Sequence, residues 1–196
     1  MGTALLTDLY ELTMAQSFLE HKKAGNAVFS IFPRSLPAER NFLVASGLAT
    51  LIHQLEAFRF SKEDIAYLEH LGIFTNDFLT YLERYRFTGT LSAIPEGSVV
   101  FQNEPIVQIE GSLPDVQLLE TLALNCIHFE TLVASKAARI ISVSRGRSVV
   151  DFGFRRSHTP DAGIAAARAA HIAGFSGTSN LEAGKRVGIP VVGTMA

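Results

Sequence analysis

Residues 149–194 read VVDFGFRRSHTPDAGIAAARAAHIAGFSGTSNLEAGKRVGIPVVGT, and the order of elements in this stretch decides the fold. VVDFG (149–153) is a short apolar strand. Thr159-Pro160-Asp161 opens a helix, with Thr as cap, Pro at the first helical position and an acid in the first turn. The alanine-rich run continues to Gly174, and Phe175 to Thr178 is a second, very short strand. Ser179 or Asn180 caps the helix LEAGKRV, Gly188 ends it, and IPVVGT (189–194) is a third strand. Strand–helix–strand–helix–strand predicts parallel pairing.

Outward from this stretch the pattern changes. Asp115 opens a long helical run to Gly146, as two helices or one bent helix. Residues 88–112 alternate β-branched side chains around Pro-Glu-Gly and Asn-Glu-Pro turns. Leu43 to Phe87 is helical, with Ser61-x-x-Asp64 and Asn76 as starts, and residues 27–32 form a short β run. Asp8 and Glu11 have capping-box spacing ahead of Leu12, Ala15 and Leu19, and Lys22, Lys23 and Gly25 close that helix. The expectation is an α/β chain in two parts. Residues 1–112 form an α+β sandwich domain, and residues 113–196 supply linker helices and the start of a parallel α/β array. Three parallel strands with two helices complete neither a sheet buried on both faces nor a barrel. The chain therefore reads as the N-terminal part of a longer protein; a complete three-stranded domain is the alternative.

Composition narrows the function. Hydrophobic residues are 47% and charged residues 18% of 196, which excludes a disordered chain. Seventeen basic against nineteen acidic residues leave a formal charge of -2, so the basic excess that nucleic-acid binding needs is missing. The single Cys126 cannot pair internally, which points to a reducing, cytoplasmic compartment. Leu118 to Val143 is apolar but carries Glu120, Glu130, Lys136 and Arg139, against a membrane span. The start, MGTALLTDLYELT, lacks the basic and apolar regions of a signal peptide, and Leu6 stands where a myristoylation signal needs Ser or Thr.

In a βα array the loops after the strands share one face, and ligands bind there. Gly153-Phe154-Arg155-Arg156, Gly177-Thr178-Ser179-Asn180 and Gly193-Thr194 are those loops. Two guanidinium groups, several hydroxyls and nearby helix N-termini suit an anionic ligand. The competing reading pairs the arginines with surface acids and makes the hydroxyls ordinary caps. The six histidines, His171 among them, have no metal-ligand spacing or nucleophile partner and are read as structural.

These segments also carry a family likeness. LLTDLYELTMAQ, LLETLALN, LVASKAAR, DFGFRR, AAARAAHIAGFSGTSNLEAG and IPVVGTMA, in that order, closely resemble nicotinate phosphoribosyltransferase. The resemblance implies an α/β sandwich domain joined to an irregular, TIM-like α/β barrel. It implies transfer of phosphoribose from phosphoribosyl pyrophosphate to nicotinate, coupled to ATP hydrolysis through a phosphorylated histidine, with ATP and Mg²⁺ used by the complete enzyme. That histidine follows the family's GT-x-A motif, which here ends at Ala196, so the catalytic group is absent from this sequence. The resemblance further implies that Tyr10 stacks on the pyridine ring across a homodimer interface. Arg155 would clamp the ring or its carboxylate, and Thr194 would contact nicotinate. Ser179 and Arg156 match less directly.

Nicotinamide-using relatives place an Asp in the loop after the second strand, where 177–180 here reads GTSN, with no carboxylate. Neutral hydroxyls donate to a carboxylate that an Asp would repel, so the loop favours nicotinate. The alternatives are a nicotinamide or quinolinate phosphoribosyltransferase and a non-catalytic chain that only binds a partner.

Overall fold

The structure is a computed structural model that describes residues 4–195. It is a mixed α/β fold whose chain divides into two compact units, each assembled from separated stretches. The first holds residues 1–32, 49–93 and 105–126; the second holds 33–48, 94–104 and 127–196.

In the first unit, α1 (Leu9–Glu20) precedes β1 (Asn26–Ile31). The second unit contributes β2 (Leu43–Val44), and the chain returns to the first with α2 (Leu48–Ala57), α3 (Lys62–His70), α4 (Asn76–Arg84) and β3 (Thr90–Ala93). After β4 (Val99–Val100) of the second unit come β5 (Val107–Ser112) and α5 (Leu113–Gln117). The first unit's sheet is antiparallel, in the order β1-β5-β3. Val107 and Ile109 of β5 are buried while Gln108 and Glu110 are exposed, the period-2 alternation of a half-buried strand. Cross-strand bonds fix the register on the wet face: Gln108 donates to Ser30 at 3.1 Å and Asn26 to Glu110 at 2.7 Å. Edge-to-face rings of Phe58, Phe60 and Tyr85 fill the helical side.

Ser61 and Asp64 form the expected capping box, and Thr75 caps α4 one residue before the expected start. Two local expectations are corrected. Asp8 precedes α1 but makes no side-chain cap bond, and Glu11 is fully buried. Both carboxylates are drawn away by tertiary partners: the one Thr121 hydroxyl proton is shared between Asp8 at 3.1 Å and Glu11 at 2.9 Å, and Gln117 also donates to Glu11. A buried carboxylate needs donors more than the helix start needs a cap. The helical run from Leu43 is interrupted at its start, because Leu43 and Val44 pair antiparallel with Val100 and Val99 as β2 and β4.

The long helical run is two helices: α5, with Pro114 in its first turn, then α6 (Glu120–Val143), which passes into the second unit after Cys126. In the second unit follow β6 (Val150–Asp151), a 3₁₀ turn (Phe154–Arg156), α7 (Pro160–Ile172), β7 (Gly177–Thr178) and α8 (Leu181–Val187). β6 and β7 are parallel, as the pattern requires. The expected strand 189–194 is reduced to a parallel bridge between Thr178 and Val191, held by Thr178 N–H to Pro190 O at 3.0 Å and Val192 N–H to Thr178 O at 2.9 Å. The ladder stops there because β7 itself ends at Thr178, where the chain turns into the cap of α8. These parallel segments do not close a barrel among the described residues. Small side chains let the layers approach: Val44, Ala134 and Ala169 form one buried cluster, and Ala167, Ala183 and Ile189 another.

A partly buried polar cluster lies in the second unit. Arg168 of α7 holds Glu96 through two bonds of 2.9 and 2.5 Å and Glu130 of α6 at 2.6 Å. Glu96 also accepts the N–H groups of Gly47 and Leu48, at 2.7 and 3.0 Å, and Ser46 donates to Glu130 at 3.2 Å. The guanidinium thus ties α7 to α6 and to the Glu96 segment, its planar fork suiting two carboxylates, and those carboxylates bring in residues 46–48.

Candidate functional site

The site residues expected in the second unit lie at the C-terminal ends of its parallel segments. Asp151 ends β6, and Gly153 precedes the 3₁₀ turn that carries Arg155 and Arg156. Phe154, within that turn, lies against α7 at Gly163, where an added Cβ would come within 2.5 Å of the Phe154 ring. Only glycine permits that approach, so Gly163 sets where the arginine turn sits. Arg155 and Arg156 are both exposed, and neither makes an ion pair or side-chain hydrogen bond among the described residues. The reading that pairs them with surface acids is not what the fold shows.

The loop after β7 is built from buried donors and acceptors. Thr178 is fully buried, and its hydroxyl donates to Asp151 Oδ2 at 2.9 Å while accepting the Asn180 N–H at 3.1 Å. Asn180 caps α8, its Oδ1 accepting the N–H groups of Glu182 and Ala183, both at 3.1 Å. That fixes its amide orientation, since only the oxygen can accept, and leaves the buried Nδ2 without a partner among the described residues. Ser179, half-buried between them, is held by its N–H to Asp151 O at 2.8 Å, and its hydroxyl has no bond among the described residues. Gly177 permits the next segment to lie alongside, because a Cβ there would meet Pro190 O at 2.7 Å. Thr194 follows that segment and is exposed, while Ala196 lies outside the described residues.

Arg155, Ser179 and Thr194 therefore follow three adjacent parallel segments at the same edge, as the strand order predicts. Tyr10 belongs to the first unit, on α1. It is 46% exposed, and its hydroxyl donates to Glu120 at 3.3 Å. The nearby Glu11 carboxylate, then burial and Glu120, raise its pKa well above the ordinary phenol value, so Tyr10 stays protonated. His171 is exposed, and its Nδ1 lies 2.8 Å from Phe175 O, a local role like the one expected of it.

Sequence reasoning passed over Asp151, whose two carboxylate oxygens and backbone carbonyl each take a bond from the loops around it. A lone acid inside VVDFG carries no spacing signal; its role appears only once β7 lies beside β6. The strand-end set does not suit Mg²⁺. Its side chains are guanidiniums and hydroxyls beside a single carboxylate, Asp151, and no group of three or more His, Cys, Asp or Glu side chains could hold a metal among the described residues. No helix among them is long and apolar enough to cross a membrane.

A profile of the nicotinate phosphoribosyltransferase (NAPRTase) N-terminal domain matches residues 5–128. Nicotinate phosphoribosyltransferase pncB2 of Mycobacterium tuberculosis is 51% identical over 193 residues, covering 98% of this chain and 42% of that protein. The nicotinate phosphoribosyltransferase of Bacillus subtilis is 45% identical over 196 residues, covering 98% of this chain and 40% of its own length. The crystal structure of human nicotinic acid phosphoribosyltransferase superposes with a TM-score of 0.88 at 35% identity, over 97% of this chain and 39% of that one. A nicotinate-nucleotide pyrophosphorylase from Pyrococcus furiosus shares the fold, with a TM-score of 0.78 at 23% identity over 99% of this chain and 42% of that one. The chain spans about two fifths of the length of the curated relatives it matches. A free arginine turn beside a hydroxyl loop, in a sequence half identical to such relatives across nearly its whole length, has one consistent explanation: the chain belongs to the nicotinate phosphoribosyltransferase family.

Proposed function

We propose that this chain is part of an enzyme that transfers phosphoribose from phosphoribosyl pyrophosphate to nicotinate, forming nicotinate mononucleotide for NAD synthesis. The observation that carries the proposal is the guanidinium of Arg155, unpaired among the described residues, on the turn that follows β6, while Ser179, with an open hydroxyl, follows the adjacent parallel strand β7. A pyridine carboxylate offers two acceptor oxygens, and a planar fork can pair with both. Ser179 donates a hydrogen bond to the same carboxyl, Thr194 contacts the ring from the next segment, and Arg156 is a second cation at the mouth.

In this reading residues 1–112 belong to a sandwich domain and residues 113–196 open an irregular α/β barrel, with β6 and β7 its first strands. Tyr10 stacks on the pyridine across a homodimer interface; the exposure of Leu9 and Met14 beside it on α1 supports such a contact. ATP and Mg²⁺ would serve the complete cytoplasmic enzyme through its phosphorylated histidine.

Substrate choice gives the test. In a protein of the relatives' full length, Ser179→Asp places a carboxylate near that of nicotinate. At an effective dielectric near 20, like charges about 4 Å apart repel by roughly 4 kcal/mol, and solvent and side-chain movement reduce this. The expected loss in nicotinate kcat/KM is about tenfold to a hundredfold. Nicotinamide, without the charge, should lose much less. Equal losses for both would show that the loop does not face the ring carboxyl.

A further inference from the structure

Asp151 ends β6 and supplies three acceptors that tie the arginine turn to the hydroxyl loop. Its Oδ1 accepts the Gly153 N–H at 2.9 Å, and Gly153 O in turn accepts the Arg156 N–H at 2.9 Å. Its Oδ2 accepts the Thr178 hydroxyl at 2.9 Å, and its backbone oxygen accepts the Ser179 N–H at 2.8 Å. Thr178, fully buried, passes the constraint on by accepting the Asn180 N–H at 3.1 Å. One short side chain therefore sets the separation between the turn that bears Arg155 and the loop that bears Ser179.

We propose that Asp151 is a positioning residue of the pyridine site: its carboxylate holds the Arg155 turn and the Ser179 loop at the spacing a pyridine carboxylate requires. The inference rests on the reading of these loops as the nicotinate site. The chemistry demands a carboxylate, because two donors approach two oxygens and neither oxygen has a proton to give. An amide in its place satisfies one arm only. If its oxygen faces Gly153, its NH₂ faces a Thr178 hydroxyl that already accepts one N–H, and the hydroxyl proton loses its acceptor. A longer Glu cannot meet both donors from the same backbone.

The test compares Asp151→Asn, Thr178→Val and Thr178→Ser in a protein of the relatives' full length. Asp151→Asn should raise the nicotinate KM about tenfold or more, the scale of a lost hydrogen bond to a charged group, while the KM for phosphoribosyl pyrophosphate stays within about twofold. Thr178→Val should reproduce much of the effect, and Thr178→Ser, which keeps the hydroxyl, should restore the parent value. Hydrogen exchange read by mass spectrometry on the same proteins needs no turnover. Asp151→Asn should speed exchange in peptides covering both 153–156 and 178–180, and Thr178→Val in 178–180 alone. Unchanged exchange in both peptides would overturn the positioning role whatever the activity. Altered exchange with an unchanged nicotinate KM would keep the loop coupling but overturn its service to nicotinate. A uniform loss in both KM values together with a lowered melting temperature would reduce Asp151 to a fold residue and overturn the proposal. If the parent protein turned over no nicotinate, the functional reading would fail while the exchange arms still judged the coupling.

Discussion

Two arginine environments thirteen positions apart make opposite use of the same side chain. Arg168 on α7 is 17% exposed and gives its guanidinium to Glu96 and Glu130. Arg155, on the turn just before that helix, is exposed and gives its guanidinium to nothing among the described residues. A cation surrounded by its own carboxylates has no capacity left for a ligand, and its neutralised field steers nothing. A cation left open at a strand end keeps both. The difference separates a residue that holds the second unit together from one available for recognition, although composition and helix pattern do not distinguish them.

Removing each charge should expose that difference. Arg168→Met leaves two acidic groups facing each other without their cation, and breaking such a pair costs about 3–5 kcal/mol when fully buried. With roughly a sixth of each side chain of the Arg168–Glu96 pair exposed, about 3 kcal/mol is expected in urea unfolding. A loss under about 1 kcal/mol would mean that solvent already screens the cluster.

Acid should probe the same cluster more gently. Burial pushes the Glu96 pKa up, but the Arg168 guanidinium and the Gly47 and Leu48 N–H groups outweigh it and hold the carboxyl below its ordinary 4.5. Since the folded value lies below the unfolded one, this stabilisation is complete above 4.5 and is lost as the pH falls through the folded value. The melting temperature should therefore drop below about pH 4.5, and Glu96→Gln should flatten part of that drop. An equally steep acid limb in Glu96→Gln would assign the sensitivity to other carboxylates.

Asn180→Ala removes an acceptor for two N–H groups of α8, a change of about 1 kcal/mol in cap series, partly offset because it also deletes the unpartnered Nδ2. At the small end, Arg155→Met and Arg156→Met should leave stability within about 0.5 kcal/mol. A larger loss at Arg155 would reveal a structural partner and erase the contrast with Arg168.

Local signals were legible where local chemistry decided the outcome. Ser61 and Asp64 close their capping box, Thr159 and Pro160 start α7, and Gly188 ends α8 with a φ of +73°. The strand–helix alternation from 149 onward correctly gave parallel pairing. Signals failed where a distant residue competed. Asp8 and Glu11 have cap spacing, yet Thr121 and Gln117, more than a hundred positions away, take their oxygens. The strand at 189–194 has the right composition but pairs only around Val191, since a ladder is no longer than its shorter partner. Asp151 escaped notice because its three donors come from loops that only the fold brings together.

The central claim is that the open guanidinium of Arg155 clamps the pyridine substrate, and Arg155→Lys in the full-length protein tests it most directly. Lysine keeps the charge and removes the planar fork. Steady-state nicotinate KM should rise about tenfold or more, the scale of a charged hydrogen bond, while ATP-driven phosphorylation of the protein without nicotinate stays nearly unchanged. An unchanged nicotinate KM with phosphorylation abolished would contradict the claim, assigning Arg155 to the phosphate chemistry and leaving Arg156 as the ring clamp.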